Sequence, residues 1–184
     1  MSNYNFDKLN KQFKKVEFEL GSGDFDFICN QALLKIDTLF IGTEIQGQFL
    51  NQEIQFKSKA LANLELISDD GIEVLKSLKN NSINTIHIYY PSPKRSWHYE
   101  WKDVLSMENF ETYYEKLKTN GVLRIITDHN NYYLTALRNM TKNKFWICDW
   151  ESIIGINEEY YVDTVCEKRY SKNGRINVLF GRKY

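Results

Sequence analysis

The chain has 184 residues, 42% hydrophobic and 15% aromatic, which fits one domain with a substantial core and excludes a wholly disordered chain. Its 24 basic residues cancel its 24 acidic ones, so net charge by itself neither favours nor excludes a nucleic-acid partner. The three cysteines, Cys29, Cys148 and Cys166, lie far apart with no C-x-x-C pair and no histidine at ligand spacing, so they read as reduced packing thiols and no metal site is expected.

Helical and strand patterns alternate along the chain without a linker, a repeat or a low-complexity break. Phe6, Leu9 and Phe13 mark a short amphipathic helix within residues 1–15, ahead of a core spanning residues 16–184. "VEFEL" (Val16–Leu20) predicts the first strand, and a glycine turn leads to a helix around Phe27–Leu34. "TLFIGTEI" (Thr38–Ile45) is a second strand, and the run to Ala62 a second helix. "LELIS" (Leu64–Ser68), "INTIHIYY" (Ile83–Tyr90) and "GVLRIIT" (Gly121–Thr127) continue the strand series. Helices fit Ile72–Leu78, Met107–Leu117 and Tyr132–Met140. "FWICDW" (Phe145–Trp150) and "INVLFGRKY" (Ile176–Tyr184) close the chain. This order predicts a single α/β domain: a mostly parallel sheet, covered by helices on both faces, with one antiparallel strand at an edge. No apolar run approaches the roughly 20 residues of a membrane span. The opening residues carry no leader pattern, so a cytoplasmic monomer or small oligomer is expected.

Charge is unevenly spread. Asp149–Asp163 carries five acids and no Lys or Arg, whereas Lys168, Arg169, Lys172, Arg175, Arg182 and Lys183 crowd the last stretch. Lys8, Lys11, Lys14 and Lys15 add bases near the start. This asymmetry suits a phosphate backbone held at one face, and equally suits solvated helix and strand faces.

In open parallel sheets, ligands bind beyond the carboxyl ends of the strands. The first such end reads "ELGSGDF" (Glu19–Phe25), where Gly21 and Gly23 permit a tight turn and close ligand approach. The third glycine of the dinucleotide fingerprint is missing, so a plain β–α turn explains the motif as well. Glu44 follows Gly21 by 23 residues, the position of a carboxylate that accepts hydrogen bonds from a ribose diol. Asp69 and Asp70 end the third strand, either capping the next helix or facing an adenine amino group.

The fourth end, "YYPSPKRSWHYEW" (Tyr89–Trp101), holds the only two prolines, Pro91 and Pro93. Proline cannot donate to a sheet ladder and biases its predecessor to extended geometry, so Pro-Ser-Pro stops the strand and stiffens a lip. Lys94, Arg95, Trp97, His98, Tyr99 and Trp101 give that lip the basic and aromatic mixture suited to phosphates and unstacked bases, although the tryptophans also suit a core. Asp128 ends the fifth strand, pointing into the same crevice or capping the following helix. "TVCEKR" (Thr164–Arg169) gathers a hydroxyl, an acid and two bases.

Taken together, "FELGSG", "FIGTEIQ", "DDGIEVL", "YYPSP", "GVLRIITDHNNYY" and "TVCEKR…GRINVLFGRK" resemble the bacterial tRNA guanine-N7 methyltransferases over about residues 16–184. The resemblance implies a Rossmann-like class I methyltransferase fold with a seven-stranded sheet. It also implies S-adenosylmethionine as cofactor, and tRNA as the partner methylated at a guanosine N7 in the variable loop. By the same resemblance, Glu19, Gly21, Gly23, Glu44, Asp69, Asp70 and Ser92 are cofactor-binding. Lys94, Arg95, Ser96, Asp128, Thr164, Val165, Cys166 and Glu167 are substrate-binding, and Ser92, Asp128 and Glu167 occupy catalytic positions. The family's lip reads Pro-Asp-Pro-Trp-Pro-Lys, so Ser92 stands where the family has its catalytic Asp, Lys94 and Arg95 replace Trp and Pro, and Ser96 replaces Lys. Phe25 replaces a glycine and Cys166 an aromatic residue. These departures leave two further readings: a tRNA-binding homologue with weak or no activity, and a class I methyltransferase acting on another substrate.

Overall fold

The computed structural model describes residues 13–47, 51–91, 103–148 and 177–184. The strands are β1 (Lys15–Leu20), β2 (Thr38–Thr43), β3 (Leu64–Ile67), β4 (Ile83–Tyr89), β5 (Leu117–Thr127), β6 (Trp146–Cys148) and β7 (Asn177–Arg182). The helices among the described residues are α1 (Asp26–Leu34), α2 (Gln52–Ala60), α3 (Gly71–Ser77), α4 (Met107–Lys116) and α5 (Asn130–Lys142). Among the described residues, these seven strands join one sheet in the order β3-β2-β1-β4-β5-β7-β6. Strands β1 to β5 pair in parallel, and β7 runs antiparallel to both β5 and β6. The expected antiparallel strand is therefore β7, set beside the three-residue border strand β6. The predicted N-terminal helix and the lip from Ser92 onward fall outside the described residues.

Alternation along each strand assigns the two faces. Val16, Phe18 and Leu20 point to the face covered by α3, α4 and α5, where they meet Ile72, Leu75, Phe110, Tyr113, Ala136 and Met140 in the larger core. Phe40 and Leu64 belong to the opposite face, packed under α1 and α2 by Phe27, Ile28, Ala32 and Ile54. Cys29 is a buried free thiol in that second core, as its packing role requires.

The second face is less apolar than its strands suggest. Glu17, Glu19, His87 and Arg124 all lie within it and are buried. His87 Nε2 lies 2.9 Å from Glu17 Oε2, and Nδ1 lies 2.8 Å from the Tyr89 hydroxyl. With Glu17 as a carboxylate, Nε2–H donates to it and Nδ1 accepts from Tyr89 O–H. Burial holds the His87 pKa below its ordinary value, outweighing the opposing pull of Glu17. The imidazole is thus neutral. Phe27 of α1 stacks edge-on against both His87 and Tyr89, at 5.1 and 4.8 Å between ring centres. Arg124 lies 5.4 Å over the Tyr89 ring. Tyr89 therefore links α1, β4 and β5 just before the chain turns at Tyr90 (φ 47°) into Pro91.

Candidate active site

Parallel pairing brings the carboxyl ends of β1 to β5 to one edge. Leu20 is level with Thr43 and Ile88, Thr43 with Ile67, and Tyr89 with Ile126. Backbone bonds carry the alignment past the strands: Ser22 N–H donates to Thr43 O at 2.8 Å, Glu44 N–H to Ile67 O at 3.0 Å, and Tyr90 N–H to Ile126 O at 2.8 Å. Glu19, Gly21, Gly23, Glu44, Asp69, Asp70 and Asp128 consequently share this rim, with Pro91 starting the lip from the same edge.

The turn after β1 is built by glycine. Gly21 and Gly23 take φ of 74° and 56°, the left-handed region that disfavours side chains, and a Cβ at either would meet nothing within 4 Å. The turn therefore faces open space. It ends at Phe25, also left-handed at φ 62°, which is the N-cap of α1 without a side-chain cap bond. Its ring is fully buried in the α1 core, so packing holds a conformation that the family's glycine would adopt without strain.

Glu44 fixes the same turn from β2. Oε2 accepts from Gly23 N–H at 3.0 Å and Oε1 from Gln46 N–H at 2.9 Å. Each oxygen keeps acceptor capacity for a ligand hydroxyl. Below the turn, Glu19 is 3% exposed, and its Oε2 has no hydrogen-bond partner among the described residues. Burial pushes the Glu19 carboxyl up to about 8; Asp24 and Glu44 add to the rise, and Ser22 opposes it. The Ser22 hydroxyl lies near enough to favour the charged form without meeting hydrogen-bond geometry. An orphaned buried carboxyl beside an open glycine turn fits a polar ligand that carries positive charge.

Asp70 is the N-cap of α3, with Oδ1 accepting from Ile72 N–H at 2.9 Å, so the capping reading of its sequence position is realised. Asp69 is exposed, and its Oδ1 accepts from Asp70 N–H at 2.8 Å. Asp128 is exposed beyond β5 and does not cap α5, whose N-cap is His129. Thr127 Oγ1 accepts from His129 N–H at 3.1 Å. Ser92, Lys94, Arg95, Ser96, Thr164, Val165, Cys166 and Glu167 lie outside the described residues. Sequence reading missed Ser22 and Gln46, whose contributions depend on the turn's shape. It also counted Lys183 among bases suited to a phosphate face. Lys183 is instead buried, donating to Asn81 Oδ1, Tyr114 O and Leu117 O at 2.8 to 2.9 Å.

Among the described residues, no cluster of three or more His, Cys, Asp or Glu could hold a metal. No helix of the described residues is long and apolar enough to cross a membrane.

Comparison with known proteins agrees with this arrangement. A family model described as "Putative methyltransferase" matches residues 14–179. The chain is 27% identical over 169 residues to a "Bifunctional methyltransferase" of Rickettsia prowazekii, covering 91% of this chain and 33% of that protein. It is 26% identical over 147 residues to the "tRNA (guanine-N(7)-)-methyltransferase" of Mesoplasma florum, covering 76% and 66%. The protein of the same name from Thermotoga maritima is 23% identical over 167 residues, covering 90% and 52%. The chain thus spans only about a third of the Rickettsia relative and roughly half to two-thirds of the other two. Among solved structures, the 16S rRNA methyltransferase KamB superposes with a TM-score of 0.69 at 13% identity, over 100% of this chain and 94% of that one. An "Antibiotic Related Methyltransferase" gives 0.65 at 18%, over 99% and 93%. At these identities the likeness is one of fold, the Rossmann-like class I methyltransferase fold. With the family model spanning nearly all of the sheet and its glycine turn, the chain belongs to this methyltransferase family, which resembles the tRNA (guanine-N7-)-methyltransferases.

Proposed function

We propose that the protein transfers a methyl group from S-adenosylmethionine to N7 of a guanosine in tRNA. The observation that carries this reading is the shared rim, where an open glycine turn, Glu19 and Glu44 stand on the same sheet edge as Asp128. In this reading the turn and Glu44 hold the nucleoside part of the donor, with Glu44 accepting from the ribose hydroxyls while the Gly23 and Gln46 amides fix its orientation. Glu19 faces the charged, amino-acid part. Asp69 and Asp70 flank the adenine side. When bound, the donor supplies an electrophilic methyl group.

Guanine N7 already has an available lone pair, so the protein needs no base to create the nucleophile. Its task is to align N7 with the methyl–sulfur bond, and alignment alone is worth effective molarities of about 10⁵ M or more. Positive charge then develops on the base. Asp128 at the rim, with Glu167, supplies negative charge for it and acceptors for the Watson–Crick edge. Lys94, Arg95 and Ser96 of the lip, with Thr164, Val165 and Cys166, contact the RNA. Ser92 holds the position of the family's catalytic Asp but without a charge.

The test is methyl transfer from labelled S-adenosylmethionine to unmodified tRNA, with label mapped by cleavage at N7-methylguanosine. Label at a variable-loop guanosine supports the reading. Ser92 favours a second one, a homologue that binds tRNA and methylates it poorly or not at all. Tight tRNA binding without transfer would select it, and label on another base or on protein would overturn both.

A further inference from the structure

Beneath the glycine turn, Glu19 Oε2 is buried and meets no hydrogen-bond donor among the described residues. A buried carboxylate with an unused acceptor is costly unless a proton or a positive charge sits on it. The charged groups that act on Glu19 are Asp24 in the turn and Glu44 after β2, both acidic. Glu17, on the same strand and face, is bonded to His87. On β4, His87 is level with Glu19, but it is neutral and engaged by Glu17 and Tyr89. Arg124 of β5 lies over the Tyr89 and Phe180 rings, and Lys35 beyond α1 acts on His87. The described surroundings thus leave Glu19 with acids as its charged neighbours, at the edge where a cationic donor would arrive.

Resting on the reading of this rim as a methyl-donor site, we propose that Glu19 is its proton-exchange group. In the free protein the carboxyl O–H is intact. On binding, that bond breaks, the proton leaves to solvent, and the carboxylate pairs with a cationic group of the donor. The raised titration of Glu19 agrees with this, since its carboxyl is largely protonated at neutral pH.

The donor carries two cations, an ammonium and a sulfonium. S-Adenosylhomocysteine keeps only the ammonium, and 5′-methylthioadenosine has neither. Titration calorimetry at pH 6.5, repeated in two buffers of different ionisation enthalpy, counts the protons exchanged. At that pH the ligands' amino groups are themselves mostly protonated, since an α-amino group titrates near 7.7–8.0. S-Adenosylmethionine should release about one proton from the wild type, and Glu19→Gln should abolish that release. 5′-Methylthioadenosine should bind with none. Release on binding S-adenosylhomocysteine assigns the ammonium as the partner, and its loss assigns the sulfonium.

Donor binding without proton release, or an equal count in Glu19→Gln, overturns the proposal while leaving the donor site intact. Should Glu19→Gln fail to fold, the wild-type pH profile decides. The Kd for S-adenosylmethionine should fall by about tenfold between pH 6 and 7, while that of 5′-methylthioadenosine stays flat over the same range. Two flat profiles overturn the proposal. Failure of all three ligands to bind removes the donor site and this inference with it.

Discussion

Glu44 commits both carboxylate oxygens to the amides of Gly23 and Gln46, so one side chain shapes the turn and also presents acceptors at the rim. Removing it leaves two amides to find new partners and deletes the proposed ribose contact. Glu44→Ala should therefore weaken S-adenosylmethionine binding by about 10- to 100-fold, measured by calorimetry, the loss of one charge-assisted bond worth roughly 1.5–3 kcal/mol. An unchanged affinity would place the donor elsewhere. On the proposed function Ser92 makes the opposite prediction: with the family's Asp restored at this position, Ser92→Asp should raise methyl transfer to tRNA by at least about tenfold. A rate that does not move would count against the role given to Ser92. At this scale the sequence was informative wherever one residue type has one use, as with the two glycines of the turn. It was ambiguous for Asp70, because an N-cap and a ligand contact ask for the same carboxylate.

Strand positions were legible from periodicity, and their burial was not. "VEFEL" alternates as a half-solvated strand would, yet Glu17 and Glu19 are buried, because the partner of Glu17 is His87, 70 residues away. β5 begins at Leu117, ahead of the predicted Gly121, because the polar Lys118, Thr119 and Asn120, the last at φ 64°, continue the strand. The amino ends of the strands hide another long-range device. Lys116 Nζ donates to Lys76 O, Leu78 O and Asn80 Oδ1 at 2.6 to 2.9 Å, tying the end of α4 to the α3–β4 loop. Lys183 does the same for Asn81, Tyr114 and Leu117. Lys116→Met keeps the aliphatic stem and strands those acceptors, so it should lower stability by about 1–3 kcal/mol in urea unfolding. Loss below about 0.5 kcal/mol would mean that water replaces the ammonium at no cost.

For the molecule as a whole, two buried groups set opposing pH dependences. His87 has a depressed pKa, so the unfolded chain binds more protons below its ordinary value of 6.5, and stability is lost as pH falls through that range. Glu19 has a raised pKa, from 4.5 to about 8, so the folded chain holds its proton more tightly; its contribution is full below 4.5 and is lost as pH rises to 8. Above pH 6.5 only the Glu19 slope of this pair operates. The urea midpoint of the ligand-free protein should therefore decline between pH 6.5 and 8, and Glu19→Gln should flatten that decline. A wild-type profile that is level over this window would contradict the burial assigned to Glu19.

The position of β7 bears on how the molecule is made. It is the last of the described strands in sequence, yet it sits between β5 and β6, and among the described residues β6 pairs with no other strand. During synthesis the border of β5 must wait, its ladder unfilled, until Asn177–Arg182 leaves the ribosome. A nascent chain stalled before Asn177 would expose the unfilled border of β5 as a template for stray strands, so Asn177–Arg182 guards the rest of the sheet against clumping.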